Sequence, residues 1–378
     1  MQPYDCKPEA FKERAMNHKE RFLTAVTGGE PDSVPVFELE YSQSAVSAIA
    51  EHLGWQGPDP KAGPDSEDRE LWLQFQAMHA IMQELDIDAH SYVYTGRTTR
   101  LRERPDRFRD ELGVVYQESS HGDPIAMEGP VKDAASLQRL RSSLPEAFEL
   151  PLFDAIRSEM AARALVFTVP GPFKLGWSLM GSMEDFLLAM AMDEEFTEEL
   201  CGAAASIAGQ LIDQALDRGA DAVLIDGDLA FSSNPLISPS DYRRFIKPHH
   251  AELIERVHAR NTPVIKHTDG NFWLLLEDFL EVGFDALHPI QPDCMDIQEV
   301  KGKVAGRSAL IGNIDCVQLL PSGSVSEVEA EVRRTIQAVA PGGGYVLSSS
   351  NSIHPGCKPE NVVAMIRAAK ELGRYPLG

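Results

Sequence analysis

The sequence predicts an α/β fold, a (β/α)8 TIM barrel with an N-terminal helical extension and an inserted β-hairpin region. Three observations predict it. Short apolar runs near residues 36, 89, 167, 223, 265, 287, 310 and 346 make eight candidate strands, and six of them plainly alternate with helical stretches. Several of these runs pass straight into Asp, His or Asn. A strand buried on both faces reads as an apolar run, and repeated strand and helix alternation marks a parallel sheet. Polar groups at strand C-termini can reach a cavity without being buried unpaired, and a barrel builds its chemistry at that end.

Residues 1–18 are polar and Pro-containing and are expected to form an arm; residues 19–378 are expected to form one barrel domain with a β insertion near 97–130. His18 to Gly28 carries Phe22, Leu23 and Val26 before a Gly stop, the pattern of a short amphipathic helix. Val34 to Leu39 is the first strand. Glu38 and Glu40 share one face of it at period 2, and with Tyr41 they are candidate substrate contacts, unless they are solvated edge residues. Helices over 42–53 and 71–85 flank a Gly/Pro/Asp-rich surface loop and lead to D-I-D-A-H-S-Y-V, a strand with His90 and Tyr92 near its end. Arg97, Arg100, Arg102, Arg104, Arg107 and Arg109 crowd the insertion, as a solvated face pairing with local carboxylates or as a docking surface for an anionic partner.

Strand and helix then alternate. Helices near 134–143 and 151–162 precede the strand Ala164 to Pro170, and a long helical stretch runs to Gly219. Asp221 to Ile225 ends in D-G-D, which contains Asp226 and Asp228. Ser238 is a good N-cap with Pro239 at the first helical position, and Pro248 is expected to kink the helix that follows. P-V-I-K-H-T-D-G at 263–270 brings an apolar strand into His267 and Asp269, two apart and so on one face; Lys266 falls on the other. His288, Asn313, Asp315, Ser350 and Asn351 end the later strands, and Pro359 to Leu372 is an amphipathic closing helix. One mouth would gather these groups, although Asp and Asn also cap helices and some are expected to do only that. Asp226, His267 and Asp269 are the candidate catalytic groups, able to hold a proton or a metal. Glu38, Glu40, Tyr41, His90, Asp228, Asn313 and Asn351 are candidate substrate contacts.

Composition excludes several classes. A formal charge of -23 and a pI near 4.8 argue against nucleic acid or an anionic membrane as the main partner. No apolar run approaches the roughly 18 residues of a membrane span, and the start of the chain has no apolar signal core, so a cytoplasmic protein is expected. The 5 cysteines include no C-x-x-C pair and signal neither a disulfide framework nor a zinc ribbon.

E-R-F-L-T-A-V-T-G-G-E-P-D-S-V-P-V, L-I-D-G-D-L-A, L-I-S-P-S-D-Y-R-R-F-I-K-P, V-I-K-H-T-D-G, L-I-G-N-I-D and P-E-N-V-V-A-M-I, in that order from about 19 to 370, resemble the uroporphyrinogen decarboxylase superfamily. That superfamily holds the haem-pathway decarboxylase and the corrinoid-linked methyltransferases. The resemblance implies a barrel, a homodimer, and one of those two chemistries. Where the decarboxylase carries an arginine-rich R-Q-A-G-R-Y, this chain reads F-E-L-E-Y-S-Q, which would repel a polycarboxylate. The methyltransferase branch is therefore the closer likeness. It implies methyl transfer between a small methoxy- or methylamine-type donor and a thiol or a corrinoid carried by a separate protein, since no D-x-H-x-x-G motif is present here; a carboxy-lyase acting on a tetrapyrrole or another carboxylic acid is the alternative. Zinc-dependent members carry H-x-C-G and a later cysteine. Here Asp269 and Asn351 stand near those positions, so the implied metal set becomes His267 and Asp269, with Cys357 six residues beyond Asn351.

Overall fold

The computed structural model describes residues 15–57, 68–102, 104–119, 124–304 and 306–377. Residues 1–14 of the expected arm lie outside them; Asn17 caps a helix over His18–Val26 through a reciprocal capping box with Glu20.

Seven parallel strands form one curled sheet: β1 (Ala89–Val93), then, after the insertion, β6 (Ala164–Pro170), β7 (Ala222–Asp226), β8 (Val264–His267), β9 (Ala286–His288), β10 (Ala309–Ile314) and β11 (Tyr345–Ser349), neighbours in that order. The insertion contributes β2 (Thr98–Leu101), β3 (Arg104–Asp110), β4 (Val115–Gln117) and β5 (Ile125–Glu128), a separate antiparallel sheet of four strands. Three arginines of this insertion pair with carboxylates, Arg97 with Glu149, Arg100 with Glu118 and Arg107 with Glu128, as a solvated face does.

The eighth stave is the segment around Val36, which closes the sheet without a regular ladder. The Phe37 amide donates to the Leu347 carbonyl at 3.1 Å, the Leu347 amide to Pro35 at 2.9 Å, and the Asp88 amide to Val36 at 3.1 Å. Pro35 has no N–H to give, and the Val36 N–H goes to the Asp88 carboxylate at 2.8 Å. Two donors are thereby withdrawn, and the expected first strand pairs only at single bridges.

The inward positions are graded. Ala89, Ala164, Ala222, Ala286 and Ala309, each the first residue of its strand, leave room at the N-terminal end of the barrel, which Phe22, Ala25 and Val26 of the first helix fill together with Phe37. Phe22 and Phe37 meet with ring centroids 5.5 Å apart. The outward residues, among them Phe167, Ile225, Leu310 and Leu347, pack with the helices in one large core. Beneath the plug, Asp88 is fully buried and accepts from Arg21 at 2.7 Å and Lys370 at 2.5 Å, with His18 Nδ1 at 3.0 Å. Ser238 caps its turn as expected, accepting from the Asp241 amide at 3.1 Å. Pro248 follows a π-helical turn over Tyr242–Ile246, a wider turn that suits a residue whose ring crowds the carbonyl four positions back. No described helix is long and apolar enough to cross a membrane.

Candidate active site

The C-terminal ends of β7 and β8 build the site. Along these strands the residues facing the barrel interior are Leu224 and then Asp226, and Ile265 and then His267, so period 2 carries both polar side chains inward above an apolar floor. Gly270 turns the chain just past Asp269. Its φ is +80° and a Cβ there would stand 2.4 Å from the Phe231 carbonyl oxygen, so only glycine lets the two loops meet.

His267 is 4% exposed, and its Nε2 lies 3.6 Å from Asp228 Oδ1 and 3.8 Å from an oxygen of each of Asp226 and Asp269. The Asp269 amide donates to Asp228 Oδ1 at 2.9 Å, and Asn351 Nδ2 donates to Asp269 Oδ2. Asp269 Oδ1 is buried with no partner among the described residues. Sequence reading missed three contributors. Lys174, one turn into the helix after β6, donates to Asp226 Oδ2 at 2.5 Å; its only signal was a lysine in the G-P-F-K-L-G-W that leaves that strand. Ser348 and Ser349 donate to Glu38, and they stood in a run of serines that carried no distinguishing pattern.

The electrostatics sort the carboxyls. Burial opposes ionisation of Asp226, but the paired Lys174 ammonium outweighs it and holds the group down at about 2. Asp269 goes the other way: burial, with Asp228 and Asp226 adding repulsion, lifts it to about 7. Burial also lifts Glu38 to about 7 against three hydrogen bonds from Ser349 and Ser348. Lys266 lies on the outer face, as its parity predicts. Its Nζ donates to the carbonyls of Gly227 at 2.8 Å and His267 at 2.5 Å, clamping the two strand ends. Burial lowers it to about 8.

A pH test of Asp269 follows. Because its folded value is raised above the unfolded one, the folded protein binds the extra proton and loses stability as pH climbs from about 4 to about 7. Urea denaturation of wild type and Asp269→Asn should converge near pH 4 and separate in favour of the variant by pH 8. Parallel curves across that range would contradict the assignment.

The other candidates divide. Glu38 is 3% exposed, and Tyr41 Oη, buried near it, has no partner among the described residues. Asn313 is buried, donates to the Ile290 carbonyl at 2.8 Å, and has a buried Oδ1 with no partner among the described residues. Glu40 is half-buried and holds the loop through its carbonyl, which accepts from Ile353 at 2.9 Å. His90 does not reach the mouth. It is the second residue of β1, in register with the outward Leu165, and its ring lies 5.7 Å from Phe75 of the helical layer. Cys357 does not join the metal group either: its thiol is directed at the Cys316 carbonyl, which His354 also reaches at 2.8 Å. Asp315 is a cap, accepting from the Val317 amide at 2.7 Å. The group that could hold a metal ion is Asp228, His267 and Asp269, whose donor atoms all lie within 4.8 Å of one another. A cleft of about 130 Å³ lined by Gln291, Cys316, Ser350, Asn351 and His354 opens beside it.

Residues 110–372 match the family model described as uroporphyrinogen decarboxylase (URO-D). Uroporphyrinogen decarboxylase of Thioalkalivibrio sulfidiphilus is 30% identical over 276 residues, 69% of this chain and 75% of that protein. The enzyme of Legionella pneumophila (strain Lens) is 29% identical over 276 residues, 69% of this chain and 74% of its own length. Among solved structures, a methyltransferase from Methanosarcina mazei superposes with a TM-score of 0.71 over 94% of this chain and 99% of that one, at 23% identity, a likeness of fold. With a family model spanning most of its length, this chain belongs to the uroporphyrinogen decarboxylase family.

Proposed function

We propose that the protein is a methyltransferase, moving a methyl group between a small methylated donor of the methoxy or methylamine type and an acceptor that is a thiol or the corrinoid of a separate protein. The observation that carries this reading is the set of three carboxylates around His267 Nε2 at the barrel mouth. Such a set puts carboxyl groups rather than free cations at the mouth, which suits a neutral or cationic donor better than a substrate bearing many carboxylates. The small cleft beside it supports a small donor, because drug-sized ligands fill roughly 300–1,000 Å³. Asp269, holding its proton near neutrality, protonates the leaving atom; Asp226, fixed as an anion by Lys174, orients the donor; Asn351 holds the Asp269 carboxyl in place.

The donor set also fits a divalent cation of the kind that takes oxygen and nitrogen ligands, and the partnerless buried Asp269 Oδ1 is the atom such an ion would satisfy. Asp228, His267 and Asp269 would hold it, and it would supply Lewis-acid assistance at the leaving or accepting atom. Proton and cation use the same carboxylate and exclude each other. A cobalt(II) titration is expected to saturate one site in wild type, to fail in His267→Ala and Asp269→Ala, and to proceed unchanged in Cys357→Ala without a thiolate charge-transfer band. Loss of binding in Cys357→Ala would mean a thiolate site instead.

A carboxy-lyase activity is the second reading, favoured by the names of the 30% and 29% identical relatives. One experiment separates the two. The protein is incubated with methylated amines or methoxy compounds and reduced cobalamin, and in parallel with uroporphyrinogen. Methyl transfer in the first is expected; carbon dioxide release in the second with no transfer in the first would reverse the assignment. The homodimer remains a proposal, to be read from light scattering.

A further inference from the structure

His267 and His288 face each other in the barrel interior with their Nδ1 atoms 2.7 Å apart, so one ring donates and the other accepts. The next contacts decide which. At the far end, Glu38 Oε1 accepts from the Ser349 amide at 2.7 Å, while Oε2 accepts from Ser349 Oγ at 2.6 Å and Ser348 Oγ at 3.3 Å. A hydroxyl has one hydrogen. With Glu38 ionised, as it is at pH 8, that hydrogen is committed to the carboxylate, and Ser348 Oγ can only accept at its other contact, His288 Nε2 at 3.4 Å. His288 then carries its hydrogen on Nε2 and offers a lone pair at Nδ1 to the Nδ1–H of His267. The remaining nitrogen of His267, Nε2, is the one that faces Asp226, Asp228 and Asp269.

We infer that Glu38, Ser348 and His288 form a polarity chain that fixes His267 as the tautomer whose bare Nε2 points into the carboxylate cluster. Glu38 is thus a positioning residue, acting on His267 through two intermediaries. Its direction matters because a lone pair among carboxylates is repelled by them until a cation stands between, and Asp269 Oδ1, 3.8 Å away and without a hydrogen-bond partner among the described residues, marks the same unfilled need. Glu38 and His267 are nearly inaccessible to bulk water, and Ser348 and His288 fully so.

Glu38→Gln is the diagnostic change. The Ser349 amide pins the new side chain's oxygen at the Oε1 position, so its NH2 takes the place of Oε2 and donates to Ser348. Ser348 then donates to His288 Nε2, His288 to His267, and the whole chain runs backwards. The measurement is long-range proton–nitrogen NMR on full-length, chelator-treated protein labelled with ¹⁵N-histidine, at pH 8, with His267→Ala used for assignment. Wild type should show Nε2 of His267 as the unprotonated nitrogen, Glu38→Gln should show Nδ1, and Ser348→Ala, which deletes one oxygen, should show both tautomers. Cobalt(II) affinity should fall about 10- to 100-fold in Glu38→Gln. An Nε2–H or doubly protonated His267 in wild type overturns the inference, as does an unchanged bare Nε2 in both variants. If Glu38→Gln fails to fold by circular dichroism, Ser348→Ala decides alone. The inference rests on the site reading above for the importance of His267, but the readout uses protein without substrate, so it can fail while methyl transfer stands, and the reverse.

Discussion

Asp269→Asn should lower turnover by about 10²- to 10⁴-fold, the usual contribution of a positioned acid, with circular dichroism unchanged. The side-chain amide preserves shape and can still meet Asn351, and the backbone N–H to Asp228 is untouched, yet the amide carries no acidic proton and is a poor ligand for a cation. The wild-type rate should fall as pH rises above about 7, where Asp269 loses its proton. His267→Ala should show a loss of similar size by removing the group around which the three carboxylates are arranged. Turnover of Asp269→Asn within twofold of wild type would remove Asp269 from the chemistry and leave the cluster a structural feature.

The largest effect on stability is expected at the opposite end of the barrel. Asp88→Ala should cost about 3 kcal/mol, because it removes the buried carboxylate between Arg21 and Lys370 and leaves Arg21 only Asp32, and Lys370 only the exposed Asp86, as counter-charge. The same carboxylate holds the Val36 amide, so its loss also loosens the eighth stave. Burial works against the Asp88 anion, but His18 and Lys370 outweigh it and keep the carboxyl below its usual range. Its contribution is therefore intact above about pH 4 and lost as pH falls further. Urea denaturation at pH 7 measures the cost; a difference below about 1 kcal/mol would show that water or a shifted lysine replaces the carboxylate.

What could be read in advance followed from periodicity. Asp226, His267 and Asp269 were legible because a buried strand alternates strictly, so groups two apart at its end share a face. His90 failed on the same rule. Its parity relative to the interior is set by which side of β1 meets Phe75, and that depends on a helix elsewhere in the chain. Lys174 and Ser348 were illegible because their roles depend on distances across neighbouring strands, which no local pattern encodes. The stave at Val36 was recognised as an apolar run, but its irregular pairing came from a side chain 52 positions away taking its donor.

The aromatic plug of Phe22 and Phe37 has a kinetic meaning. With five alanines and those rings sealing the lower end, the barrel is a blind tube with a single door. In the proposed methyl transfer, donor and acceptor would not approach His267 from opposite sides, as they could in an open channel. They must share one entrance, so each excludes the other while it occupies the threshold. Steady-state patterns should therefore show an obligatory order or a substituted-enzyme sequence, with the departing product competing directly against the next substrate to enter.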